Sequence, residues 1–228
     1  MPVVPFLSFN DDAARNADFL LEKEDEAVLE RLREPIMLKD KWVLWEQVVQ
    51  NDGKNTTFTD ALKKVVSFSQ LHEFWRIWNG LPQPSDLLDQ KQIMRDPGVA
   101  IDAIMIFKEG IKPEWEDPMN SQGGHFQIQL KPNVGAWQID EYWNNIVMGM
   151  IGGTIEPSDM ITGIRLVDKL SGPKGANAIR IELWWKRDSE GNQAALKKSM
   201  EKCMSTKLDG SAGMACKAET KQHTNIKH

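Results

Sequence analysis

Cysteine is nearly absent. Cys203 and Cys216 are the only two in 228 residues, so no disulfide framework staples this chain, and a reducing compartment, the cytoplasm, is the expectation. Basic charge is also in deficit. With 28 Lys and Arg against 33 Asp and Glu, the formal net charge is -5, which excludes a general nucleic-acid coat, because such affinity comes from many phosphate contacts. Any phosphate site must be local. No apolar run approaches the roughly 18 residues of a membrane span, and the opening MPVVPFLSFNDD has neither the basic n-region nor the apolar h-region of a leader. His72, His125, His223 and His228 do not combine with the cysteines at metal-ligand spacing, and no nucleophile motif appears. GMIGG and SGPKG are glycine turns without the GK[ST] ending of a phosphate loop. Neither catalysis nor a metal or cofactor is expected. Tyrosine occurs once, but tryptophan occurs nine times, and large flat rings serve either as core or as stacking surfaces.

What is present reads as one α+β domain with tails. Residues 1–34 mix charges with scattered Leu and Val and end at Pro35, a tail with some helical tendency. From Lys41 the stretch WVLWEQVV alternates and is rich in β-formers, and NDGKN follows as a turn. Ser67 to Gln70 resembles a capping box, and Leu71, Phe74, Trp75 and Trp78 fall at helical spacing before Asn79-Gly80. IDAIMIF (101–107) and HFQIQL (125–130, with Phe126, Ile128 and Leu130 inward) read as strands around a Pro- and Gly-containing loop. Ile139, Trp143, Ile146, Val147 and Met150 mark a second helix, TGIRLVDK and AIRIELWWK two further strands, and Leu196, Met200, Cys203 and Met204 a third helix. This order predicts a mostly antiparallel sheet with helices on one side. After Leu208 the composition turns small and polar, so residues 209–228 are expected to be flexible.

In AIRIELWWK a period of two puts Ile179, Ile181, Leu183 and Trp185 on one face and Arg180, Glu182, Trp184 and Lys186 on the other. An indole between charges on a polar face suits a ligand, whereas a bulged strand would make Trp184 core; the spacing leaves both open. Trp115 stands in the loop between the strands, followed by Glu116 and Asp117. By itself such a residue is more often an anchor pinning a long loop. Rings, carboxylates and nearby Lys and Arg together suit a cationic purine with a phosphate tail, the rings taking the charged base and a carboxylate its N–H donors.

The stretch FKEGIKPEWEDPMNSQGGHF, supported in order by KWVLWEQ, LHEFWRIWN, IDEYWNNIVMGMIG and IRIELWW, resembles the translation initiation factor 4E family between about Leu38 and Leu208. The resemblance implies a single domain, about 35–208, in which a curved eight-stranded antiparallel sheet carries three helices on its convex face and the 7-methylguanosine cap of mRNA in its concave front. It implies that Trp115 stacks on the base, that Glu116 accepts from its N1–H and N2–H, and that Trp184 touches the N7-methyl group. Arg180 and Lys169 match phosphate contacts, and Lys174 is the candidate for a third. Phe58 stands where relatives place the second stacking Trp, and His125 where they often carry Arg. On the back, LHEFW resembles the family's surface for a 4G-type scaffold or a 4E-binding protein, with Trp75 the exposed indole and Leu71, Asn144, Asn145 and Met148 completing the groove. No membrane partner is implied, and the chain is expected to be monomeric outside its complexes. Two rivals remain. A general single-strand RNA module would need a basic groove tolerant of any base, and Glu116-Asp117 would repel backbone phosphates. A cap-incompetent paralogue acting as a protein-binding repressor or scaffold is kept open by Phe58.

Overall fold

The computed structural model describes residues 34–49, 61–89, 93–96, 99–170, 177–207 and 210–225. The chain divides into the units Met1–Ile36 and Met37–His228. Of the first, only residues 34–36 are described, and they form neither helix nor strand.

The second unit runs β1 (Met37–Val48), β2 (Leu62–Gln70), α1 (Leu71–Trp78), β3 (Ile93–Asp96), β4 (Val99–Lys108), β5 (Gly124–Leu130), α2 (Ala136–Ile151), β6 (Ile161–Lys169), β7 (Ala178–Trp185), α3 (Glu190–Met204) and β8 (Glu219–Gln222). The eight strands form one curved antiparallel sheet in the order β2-β1-β4-β6-β7-β5-β8, with β3 added beside β4. The expected α+β architecture, eight strands and three helices, is therefore found.

Alternation divides the sheet between two apolar clusters. Ile179, Ile181, Leu183 and Trp185 of β7 join the main core together with Phe74 and Trp78 of α1, Trp143 and Val147 of α2, and Leu196 and Met200 of α3. All three helices therefore cover one face. The other, concave face holds a smaller cluster of Ala103, Met105, Phe107, Ile111, Val167 and Trp184, with Trp45 and Trp115 packed against it. Gly163 makes room on this face: a Cβ there would lie 2.3 Å from Cγ of Phe107. Its absence lets Phe107 lie against the strand and meet Trp184 edge-on, at 5.3 Å and 78°.

Two local expectations shift. The N-cap of α1 is Gln70 rather than Ser67, because Glu73 reaches back and its Oε2 accepts from the backbone N–H of both Ser69 (2.9 Å) and Gln70 (3.2 Å). Within residues 209–228, expected to be flexible, Glu219–Gln222 form a strand paired with β5, and His223–Asn225 a short 3-10 turn.

Candidate functional site

Neighbouring strands set the concave face row by row. Arg165 of β6, Glu182 of β7 and Gln127 of β5 lie in register, and in the next row Gly163, Trp184, His125 and Lys221 follow across β6, β7, β5 and β8. Glu182, Gln127, His125 and Lys221 of these rows line a cavity of about 460 Å³, together with Trp115 from the β4–β5 loop, Arg180, and Thr220 and Gln222 of β8. Gly124 lets β8 approach, since a Cβ there would stand 2.2 Å from the Lys221 carbonyl.

Charge is concentrated at Glu182, which is 2% exposed. Its carboxylate lies 3.2 Å from Arg165 Nη1 and 2.7 Å from Arg180 Nε, and it accepts a hydrogen bond from Trp184 Nε1 at 3.0 Å. Arg165 also donates through Nη2 to Gln47 on β1 at 3.0 Å. Burial pushes the Glu182 carboxyl up, but Arg165, His125, Arg180 and the Trp184 N–H together outweigh it and hold its pKa at about 2. Two guanidiniums around one buried carboxylate leave this cluster with a formal net positive charge.

The loop that presents Trp115 is built by its own polar residues. Asp117 accepts from the backbone N–H of Lys112 and of Met119, each at 2.9 Å. The fully buried Asn120 donates to the carbonyls of Lys112 (2.9 Å) and Glu114 (3.0 Å). Asp117 therefore shapes the loop, while Trp115 stands half-buried at the cavity wall and Glu116 is exposed beside it.

Above the floor two histidines interlock. His125 Nδ1 is 3.0 Å from His223 Nε2, and His223 Nδ1 is 2.8 Å from the Asn120 carbonyl oxygen. His125 stacks on Trp184 at 5.8 Å and 19°, and His223 comes within 4.4 Å of the same indole. Burial lowers the pKa of both rings, that of His125 to about 4.

Trp184 is consequently 0% exposed, sealed between Phe107, His125 and His223. Alternation does place it on the concave face, but the face is covered there, so of the two readings that the spacing left open the buried one describes this structure. Arg180 and Trp115 meet at the cavity. Lys169 is half-buried at the end of β6, on the same face as Arg165 but outside the cavity lining, near Asp102. Phe58 and Lys174 lie outside the described residues. Glu182, Gln127, residues 220–222 and His223 complete the site without having been singled out from sequence. For Glu182 the signal was available, because the period of two places it between Arg180 and Trp184. The four polar residues of β8 carry no such signal.

On the helical face Trp78 is buried and donates Nε1–H to Asn144 Oδ1 at 3.0 Å, while Trp75 is half-buried, edge-on to Phe74 at 5.2 Å. Leu71 and Met148 are half-exposed on the same helices. The amides of the two asparagines fasten elements together: Asn144 donates to Gln83 Oε1 and the Asp140 carbonyl, and Asn145 to the carbonyls of Met204 and Thr206.

A family profile described as "Eukaryotic initiation factor 4E" matches residues 37–227. Among curated proteins, the chain is 33% identical over 154 residues to eukaryotic translation initiation factor 4E of Saccharomyces cerevisiae, covering 67% of this chain and 63% of that protein. It is 32% identical over 170 residues to the Candida albicans factor of the same name, covering 73% and 72%. The chain thus spans just under two thirds of the length of the yeast relative. Among solved structures, Ascaris suum eIF4E-3 in complex with an m2,2,7G cap superposes with a TM-score of 0.64 at 20% identity, over 86% of this chain and 95% of that one. Caenorhabditis elegans eIF4E-3 in complex with the 4E-binding protein Mextli does so at 0.64 and 21%, over 84% and 96%. At these identities the two superpositions establish the fold.

Proposed function

The chain belongs to the eukaryotic initiation factor 4E family, and we propose that it binds the 7-methylguanosine 5′ cap of mRNA in its concave cavity, in cytoplasmic translation initiation or its regulation. The observation that carries this reading is the cavity itself, which brings the Trp115 ring together with Arg180 and with Glu182, whose carboxylate is held by Arg180 and by the buried Arg165 behind it. Methylation at N7 makes the base cationic, which strengthens ring stacking by about 0.5–2 kcal/mol. Phe58 serves as the second ring, and Glu116 accepts from the N1–H and N2–H donors of the base. Arg180, with Lys169 and Lys174, supplies a salt-sensitive phosphate contribution. Recognition is an equilibrium and no bond is made or broken.

Titration with 7-methyl-GTP and with GTP, followed by tryptophan fluorescence, tests the reading. Strong quenching by the methylated nucleotide and little by GTP is expected. Equal or absent responses would favour a second reading, a cap-incompetent family member acting as a protein-binding repressor or scaffold. The sealing of Trp184 is the observation on that side. Under either reading the surface around Trp75 receives a helical segment of a 4G-type scaffold or 4E-binding protein, and the chain is otherwise a monomer. Relatives of this fold have been solved with such proteins, including Mextli.

A further inference from the structure

We propose that His125 is a specificity-determining residue of the cavity: it presents the unprotonated Nε2 of a neutral ring, which accepts a hydrogen bond from an N–H or O–H donor of the bound nucleotide. The inference rests on the cap-binding reading above and adds the polarity of one wall.

The tautomers follow from connectivity. Asn120 offers a carbonyl oxygen, which can only accept, so His223 Nδ1 carries its hydrogen. In a neutral His223 ring Nε2 is then a lone pair, and the hydrogen in the 3.0 Å contact belongs to His125 Nδ1. A neutral His125 is left with Nε2 as a lone pair. That nitrogen has no hydrogen-bond partner among the described residues and belongs to a largely buried ring that lines the cavity. A 180° flip of the ring would keep its stack on Trp184 but lose its bond to His223.

The surroundings favour the neutral form. Arg165 and Arg180 stand nearby, and the one carboxylate between them, Glu182, is already engaged by both and by Trp184. Burial is the largest influence on the His125 ring and opposes its charging; Glu182 alone pulls the other way. A lone-pair nitrogen repels phosphate oxygens, so His125 is matched to a base N–H or a ribose hydroxyl, while Arg180 and Lys221 of the same lining offer the cationic donors that phosphates need.

Histidine-selective 15N NMR of the full chain at pH 7, combined with binding of 7-methyl-GTP and of the nucleoside 7-methylguanosine, tests this. Both rings should appear as neutral Nδ1–H tautomers before ligand is added, and the His125 Nε2 resonance should move on binding. His125→Ala should weaken both ligands equally, by about threefold to tenfold, the worth of one neutral hydrogen bond. His125→Gln, whose amide oxygen can accept, should recover most of the loss. A His125 protonated at Nε2, a loss seen with the triphosphate but not with the nucleoside, or unchanged binding by His125→Ala would each overturn the inference alone. Failure of the parent protein to bind either ligand would overturn the cap-binding reading and this inference with it.

Discussion

Arg165 and Glu182 face each other across β6 and β7, Nη1 3.2 Å from Oε2, with both side chains buried. A buried carboxylate can remain charged only if its partners repay the lost hydration. Here Arg165, Arg180 and the Trp184 N–H do so together. Glu182→Ala should therefore destabilise the protein by about 3–5 kcal/mol, the usual consequence of stranding a buried charge. Glu182→Gln, which keeps an acceptor for Trp184, should cost less. Urea denaturation of the two variants checks the order, and equal losses would show that charge is irrelevant at this position.

Stability should fall on the acid side in two steps. His125 has its folded pKa depressed from 6.5 to about 4, so between those values the unfolded chain binds the proton more readily, and folding loses about 1.4 kcal/mol for each pH unit. His223 acts in the same direction. Glu182 is depressed from 4.5 to about 2, so its contribution is complete above pH 4.5 and is lost as pH falls toward 2. Urea midpoints measured from pH 8 to pH 2 should decline below about 6.5 and again below about 4.5. His125→Gln should flatten that first decline and leave the second.

The sealing of Trp184 separates two indoles that the sequence pairs. Trp115→Phe should abolish most of the fluorescence quenching caused by 7-methyl-GTP. Trp184→Phe should retain it while destabilising the fold by about 1–3 kcal/mol, since a buried Glu182 oxygen loses a donor. Steady-state quenching and denaturation of both variants give the comparison. Loss of quenching in Trp184→Phe alone would mean that His125 and His223 move aside for the ligand.

On the other face, Trp75→Ala should weaken a helical 4E-binding peptide by tenfold or more, about 1.4 kcal/mol or above, with no change in affinity for 7-methyl-GTP. Trp78→Ala should instead lower stability, because that ring is buried and its N–H is bonded to Asn144. Isothermal titration with the peptide distinguishes them, and equal peptide affinity for Trp75→Ala and the parent protein would remove this surface from consideration.

Period and composition were enough to read β1, β4, β5, β6 and β7, the three helices and the two faces of β7, while β2, β3 and β8 were not read from the residues; alternation is a local property, so Ile179, Ile181 and Leu183 must go to one side and Arg180, Glu182 and Trp184 to the other whatever they meet there. The order of motifs was likewise enough to identify the family. What those side chains meet was decided by the tertiary structure. Trp184 is buried because His125 lies opposite it on β5, His223 arrives from nearly forty residues further along the chain, and Gly163 leaves space for Phe107. β8 was illegible because four polar residues at a sheet edge have no apolar alternation to betray them; they pair only because β5 offers an open row of backbone donors and acceptors. The polarity of His125 could not be inferred from residue type, since a histidine nitrogen is a donor or an acceptor only by virtue of what the other nitrogen has bonded.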